Sequence, residues 1–154
     1  MTGAASQDRH FVDTNILVYA HDASAGSKRQ QAKRLLERLW ASGQGCLSLQ
    51  VLQEFYVTIT RKVPRPVDPA DARLMVLNLS RWMVHVPTVD DVLGAIDAQA
   101  RLGLSLWDAM VVQSAARLGC RRIYTEDLSD GQLYMGVQAV NPFRAGVTDE
   151  AADR

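Results

Sequence analysis

His10-Phe11-Val12-Asp13-Thr14-Asn15-Ile16-Leu17-Val18-Tyr19-Ala20 is the stretch that decides the fold. A short apolar run meets a polar Asp-Thr-Asn turn, and a second apolar run follows at once. The pattern reads as a strand, a turn and a short buried helix. The chain repeats this grammar to its end. Residues 46–49, 84–86 (stopped by Pro87), 122–125 and 137–140 (closed by Asn141-Pro142) are further strand candidates. Between them the apolar period becomes helical.

In residues 27–42, Ala32, Leu35, Leu36, Leu39 and Trp40 form one stripe, closed by Gly43 and Gly45. The other faces of that helix carry Lys28, Arg29, Lys33, Arg34 and Arg38 against Glu37 alone. Residues 50–62 place Val51, Leu52, Phe55 and Ile59 on one stripe, and Pro64 and Pro66 end the helix. An amphipathic helix over 68–82 follows. Thr88-Val89-Asp90-Asp91 is a capping-box pattern that opens a helix to about Leu102. Ser105 opens the last helix, which is nearly apolar all round and ends at Gly119. Short apolar strands alternating with helices predict a parallel sheet covered on both faces. The expected fold is a single three-layer α/β/α sandwich with a central, mostly parallel sheet of four or five short strands. It spans residues 1–143, with a frayed start over 1–9 and a disordered tail over 144–154.

Composition narrows the function classes. The chain has 154 residues, 47% hydrophobic and 22% charged, as in an ordinary globular domain. A chain of that length hides roughly 70% of its unfolded surface and needs no disulfide or structural metal to fold. Cys46 and Cys120 form no CxxC and read as buried, reduced thiols. Apolar runs are too short to span a membrane, and the N-terminus offers no signal peptide, so a cytoplasmic protein is expected. Seventeen basic residues balance seventeen acidic ones, but residues 1–66 carry nine basic against five acidic side chains. That half suits a polyanion.

In open parallel sheets ligands bind beyond the carboxyl ends of the strands. Asp13 follows the first strand, Glu54 lies one turn into the helix after the second, Asp127 follows the strand ending at Thr125, and Asp108 opens its helix. Four carboxylates on one rim repel one another, and a divalent cation removes that penalty. Simpler roles fit three of them: Asp13 as an N-cap, Glu54 as a solvated charge, Asp127 as a turn former. Asp108 resists such a reading. Val111, Val112 and Ala115 share its face, and a carboxylate on a buried face is costly unless paired or metal-bound. The chain has no GxxxxGK[ST], no GxGxxG and no nucleophile elbow. Asn15 stands where a haloacid-dehalogenase pattern needs a second Asp. No aromatic-plus-basic stacking motif marks a place for base readout.

Phe11-Val12-Asp13-Thr14-Asn15-Ile16-Leu17-Val18-Tyr19, Gln53-Glu54-Phe55, Leu104-Ser105-Leu106-Trp107-Asp108-Ala109 and Tyr124-Thr125-Glu126-Asp127-Leu128 resemble, in order and spacing, the PIN-domain ribonucleases. The likeness is to the VapC toxins of bacterial toxin–antitoxin pairs and covers residues 10–143. It implies that Asp13, Glu54, Asp108 and Asp127 are catalytic metal ligands and that Asn15 and Thr125 hold them in place. Glu126 and Asp130 crowd the fourth position, and the Thr-x-Asp spacing favours Asp127. The resemblance further implies Mg²⁺ or Mn²⁺, an RNA substrate, a homodimer and a cognate antitoxin. Oxygen-only ligands suit those ions. Lys33, Arg34 and Arg38, then Arg61, Lys62 and Arg65, are the candidate contacts for RNA phosphates. Other classes compatible with the sequence are a non-toxic RNA-processing PIN nuclease, a phosphatase, and a non-catalytic RNA- or protein-binding domain.

Overall fold

The computed structural model describes residues 8–144. The expectations for residues 1–7 and for the tail beyond 144 lie outside them. The elements run β1 (Arg9–Val12), α1 (Thr14–His21), α2 (Ser27–Ser42), β2 (Gly45–Ser48), α3 (Leu49–Arg61), α4 (Pro69–Leu79), β3 (Met83–His85), α5 (Val89–Leu102), α6 (Leu106–Arg117), β4 (Cys120–Tyr124), β5 (Leu133–Tyr134) and β6 (Val137–Val140). The helices start where local chemistry tells them to. Ser48 and Ser105 accept from the backbone N–H groups of Val51 and Asp108, and Asp68 caps α4 with Pro69 at its first turn. Thr88 and Asp91 complete the reciprocal capping box expected before α5.

The strands lie in the order β3-β2-β1-β4-β6-β5. Every pairing is parallel except β5 with β6. From β1 the chain steps outward to β2 and β3, then returns to β4 on the other side of β1. Right-handed crossovers in opposite directions set the two helix groups on opposite faces. Thus α1 to α4 cover one face, and α5 and α6 cover the other. Accordingly α1 packs on α2 and α3, α3 on α4, and α6 on α5 and on β2, β4 and β6. Phe11, Val12, Leu47, Ile123 and Tyr124 from the strands are fully buried with Ile16, Leu17, Val51, Phe55 and Val112 from the helices. The middle of α6, from Ala109 through Ala115, is buried all round, because it lies between the sheet and α5.

The structure corrects several expectations. The sheet has six strands, since Leu133–Tyr134 adds an antiparallel edge. Its turn places both Met135 and Gly136 at positive φ, 52° and 82°, as a tight hairpin requires. Two residues are too few to show a strand period, and Met-Gly is not a usual signal for that turn. Arg9 belongs to β1 rather than to a frayed start. Trp40 lies at the edge of the α2 stripe, 49% exposed, with its ring 6.0 Å from that of Trp82. Helix α4 ends at Leu79, because the chain must turn before β3. Cys46 and Cys120 are buried free thiols. No helix among the described residues is long and apolar enough to cross a membrane.

Candidate active site

The strand order reverses direction at β1 and β4, and the crevice beyond their carboxyl ends is a topological switch point. Asp13 leaves β1 directly into that crevice. It is the N-cap of α1, accepting from the Thr14 N–H at 2.7 Å, and is 5% exposed. The capping role and a site role therefore coincide in one residue. Its second oxygen accepts from Thr125 Oγ1 at 2.8 Å and from Asn15 Nδ2 at 3.5 Å. The Asp13 N–H reaches the Tyr124 carbonyl at 3.0 Å, which ties the end of β1 to the end of β4.

Asp127 arrives from β4. Its N–H donates to Thr125 Oγ1 at 3.0 Å, and its carboxylate accepts from Asn15 Nδ2 at 3.0 Å. Asn15 and Thr125 thus bridge Asp13 and Asp127. Glu54 projects from the second turn of α3. One of its oxygens accepts from Thr14 Oγ1 at 2.9 Å, the other from Gln50 Nε2 at 3.1 Å. Asp108 stands half-buried in the first turn of α6, beneath the Ser105 cap.

Burial and neighbouring charge act together on these groups. Burial raises the Asp13 carboxyl to about 7, against the hydrogen bonds from Thr125 and Thr14; the negative charges of Asp127 and Asp108 push it further up. Burial also raises Asp108, with added repulsion from Asp127 and Glu54. Among the described residues no cation pairs with them. Lys28 is taken by Glu126 at 2.6 Å. Burial pushes Glu126 up, but the bonds from Lys28 and Tyr19 outweigh it and hold that carboxyl low. Asp130 turns away to the Asn141 N–H and Arg144. The three carboxylates that crowd together in sequence therefore diverge in space, and of them only that of Asp127 accepts from Asn15; Glu126 meets Asn15 through its backbone N–H.

The donors suit a hard divalent cation. All are carboxylate oxygens, two of the carboxyls are raised by burial with added repulsion from their neighbours, and neutral donors fix Asp13 without satisfying its charge. Among the described residues no three His, Cys, Asp or Glu side chains converge tightly enough to encircle an ion as they stand. Mg²⁺ asks less than that, since it binds through one or two carboxylates and keeps several waters.

Sequence reasoning missed Thr14 and Gln50. The Gln50–Glu54 spacing of four residues on one helix was a usable signal, whereas Thr14 and Glu54 lie 40 residues apart. The candidate phosphate contacts scatter. Helix α2 starts at the rim, where Lys28 meets Glu126, and runs away from it. Lys33 and Arg34 are exposed along its middle, while Arg38 lines a cavity with Asp8, His10 and Gln44 near the opposite edge. Helix α3 runs the same way for 13 residues, about 20 Å, so Arg61, Lys62 and Arg65 follow its far end. The three histidines have other partners: His10 meets Tyr124 and Asp8, His21 the Leu17 carbonyl, His85 Ser114 and Asp91.

Residues 10–129 match the model of the PIN domain. The chain belongs to the PIN-domain family. Three solved structures share the fold. The Mycobacterium tuberculosis toxin VapC20, described as cleaving the sarcin–ricin loop, is 23% identical with a TM-score of 0.59, over 77% of this chain and 89% of that one. A toxin–antitoxin complex from Klebsiella pneumoniae is 22% identical with a TM-score of 0.65, over 87% and 98%. The FitAcB structure from Neisseria gonorrhoeae is 13% identical with a TM-score of 0.58, over 86% and 97%. A comparison with curated proteins finds no match.

Proposed function

We propose that this PIN-domain protein is a metal-dependent endoribonuclease that hydrolyses RNA phosphodiester bonds, and that it is the toxin of a type II toxin–antitoxin pair. One observation carries the reading. Asp13, Glu54, Asp108 and Asp127 crowd the switch point of the sheet with no cation of their own, and Asp13 is raised to about 7. Asp13, Asp108 and Asp127, with Glu54 beside them, are the residues that would hold Mg²⁺ or Mn²⁺. When bound, such an ion supplies Lewis-acid stabilisation of phosphate charge and activation of water at neutral pH.

The chain's own residues prepare that chemistry. Thr14 and Thr125 lock the two oxygens of Asp13, and Asn15 spans Asp13 and Asp127. Thr14 and Gln50 grip Glu54 from both sides. These bonds hold the carboxylates of Asp13, Asp127 and Glu54 in place, which lowers the reorganisation needed when phosphate arrives. General acid–base chemistry of the histidine type has no support, since each imidazole is engaged elsewhere. The toxin–antitoxin neighbours support a cognate antitoxin as partner. For a homodimer, the exposed stripe of Val89, Val92, Leu93 and Ile96 on α5 offers apolar surface to cover.

The test is cleavage of end-labelled RNA by the pure protein with Mn²⁺ or Mg²⁺ and with EDTA. Cleavage is expected only with the ion, leaving 5′-phosphate and 3′-OH ends, and is lost in Asp13→Asn. Products ending in 2′,3′-cyclic phosphate in metal-free buffer overturn the mechanism. Binding of RNA without cleavage, whatever the ion, favours the non-catalytic alternative.

A further inference from the structure

Trp107 is the most exposed aromatic side chain of the described residues. Its indole is 63% exposed, and no ring or cation stacks on it. Trp40 and Trp82, by contrast, pack against each other. Burying so large an apolar side chain would stabilise the fold, and this indole forgoes that gain. Its position is not that of a scattered surface residue. It precedes Asp108 in the first turn of α6, and successive helical residues diverge by about 100°. Asp108 lies among the rim charges, and the exposed indole stands one residue before it on the same turn. The Trp107 carbonyl accepts from Gln50 Nε2 at 3.4 Å, and the same nitrogen donates to Glu54 at 3.1 Å. One amide thus fixes the backbone under the indole relative to a rim carboxylate.

We propose that Trp107 is the platform on which a base of the RNA, one flanking the cut phosphate, stacks. This rests on the ribonuclease reading of the rim. A phosphodiester held at Asp13, Asp108 and Asp127 must direct its neighbouring nucleosides along the walls of the crevice. Next to Asp108 in the chain stands a flat, solvent-exposed indole on an anchored backbone. Every base has a π-face, so such a platform grips single-stranded RNA with little regard to sequence. Among the described residues the only other large exposed aromatic is Trp40, which packs on Trp82. Sequence reading passes over Trp107 because its neighbours are Leu106 and Asp108 rather than basic residues.

The experiment uses an oligoribonucleotide spanning a cut mapped on total RNA, and the same oligoribonucleotide made abasic at each flanking position in turn. The full chain is compared with Trp107→Ala and Trp107→Phe, after melting curves show that all three fold. On the intact substrate Trp107→Ala should raise KM about 5- to 150-fold, the range for loss of one stacked base, with a smaller change in kcat. Trp107→Phe should recover most of the loss. On one of the two abasic substrates, wild type and Trp107→Ala should become equal. An unchanged KM in Trp107→Ala overturns the proposal, and so does a loss of equal size on both abasic substrates. Loss of self-association or of antitoxin capture with RNA kinetics intact assigns the indole to a protein interface instead. A wild type that cuts no RNA with any divalent ion overturns the ribonuclease reading and this one with it; cleavage indifferent to Trp107 overturns this one alone.

Discussion

Asp91 and Asp13 are both buried carboxylates at the start of a helix, 2% and 5% exposed, yet their surroundings drive them in opposite directions. Asp91 accepts from the Thr88 N–H at 2.8 Å and from Arg117 Nε at 2.8 Å, and His85 Nε2 stands 3.3 Å away. The Thr88 backbone donor holds it well below the usual carboxylate range, overcoming burial, with Arg117, the Thr88 hydroxyl and Gln113 adding to the effect. Asp13 has neutral donors and acidic neighbours, and is raised to about 7. The contrast teaches what each acid is for. Asp91 brings its own counter-charge and fastens α5 to α6. Among the described residues the rim acids have none, which fits the proposed reading of a site that takes its cation from outside.

The largest effect that sharpens this contrast is on catalysis. Asp13→Asn, Glu54→Gln and Asp108→Asn should each lower kcat/KM for RNA cleavage by more than the roughly 10–100-fold that residues supporting a metal site cost. Combining them should cost little more, because they act as one unit. Asp91→Asn should leave kcat/KM of the folded protein within a few-fold of wild type. Near-normal activity in Asp108→Asn would break the contrast at its centre.

Stability should show the reverse order. Asp91→Ala leaves the Thr88 N–H and one side of Arg117 unanswered, and should cost about 1–3 kcal/mol in denaturant unfolding. Asp108→Asn relieves repulsion, so the metal-free protein should melt no lower than wild type.

The pH dependence of stability then separates the two groups by sign. Asp91 is depressed, so its contribution is complete above 3.8 and is lost as pH falls below that value. Asp13 is raised, so the metal-free fold loses stability as pH rises from 3.8 to about 7. Unfolding in EDTA across pH 3–8 should show a decline at each end, with Asp91→Asn flattening the acid limb and Asp13→Asn the upper one. The smallest effect concerns the basic faces. Lys33→Glu and Arg34→Glu should each reduce the slope of log affinity for RNA against log salt by about 0.7–0.9 if they touch phosphate. Arg38→Glu, beside Asp8 and His10, should change it less.

Much of this was legible in the sequence wherever the signal is local. Thr88 and Asp91 announce their cap, Ser105 announces α6, and Asp13 and Asp108 fall at element ends that any parallel sheet gathers on one rim. What was not legible depends on contacts between distant residues. Thr14 meets Glu54 across 40 residues, and Lys28 meets Glu126 across 98. That second contact removes Glu126 from the crevice, a choice that spacing alone leaves open among Glu126, Asp127 and Asp130. The edge strand β5 escaped for a different reason: two residues carry no period, and Met135 carries no turn signal despite its positive φ.

The central claim, that the rim acids await a divalent cation, is tested most directly by titrating Mn²⁺ into protein stripped with EDTA, followed by calorimetry and thermal melting. Binding to the native state alone raises Tm by linkage. Saturable binding and a rise in Tm are predicted for wild type and for Asp91→Asn, and both should weaken sharply in Asp13→Asn and Asp108→Asn. No heat of binding, with melting curves that coincide in EDTA and in millimolar Mn²⁺, would contradict it.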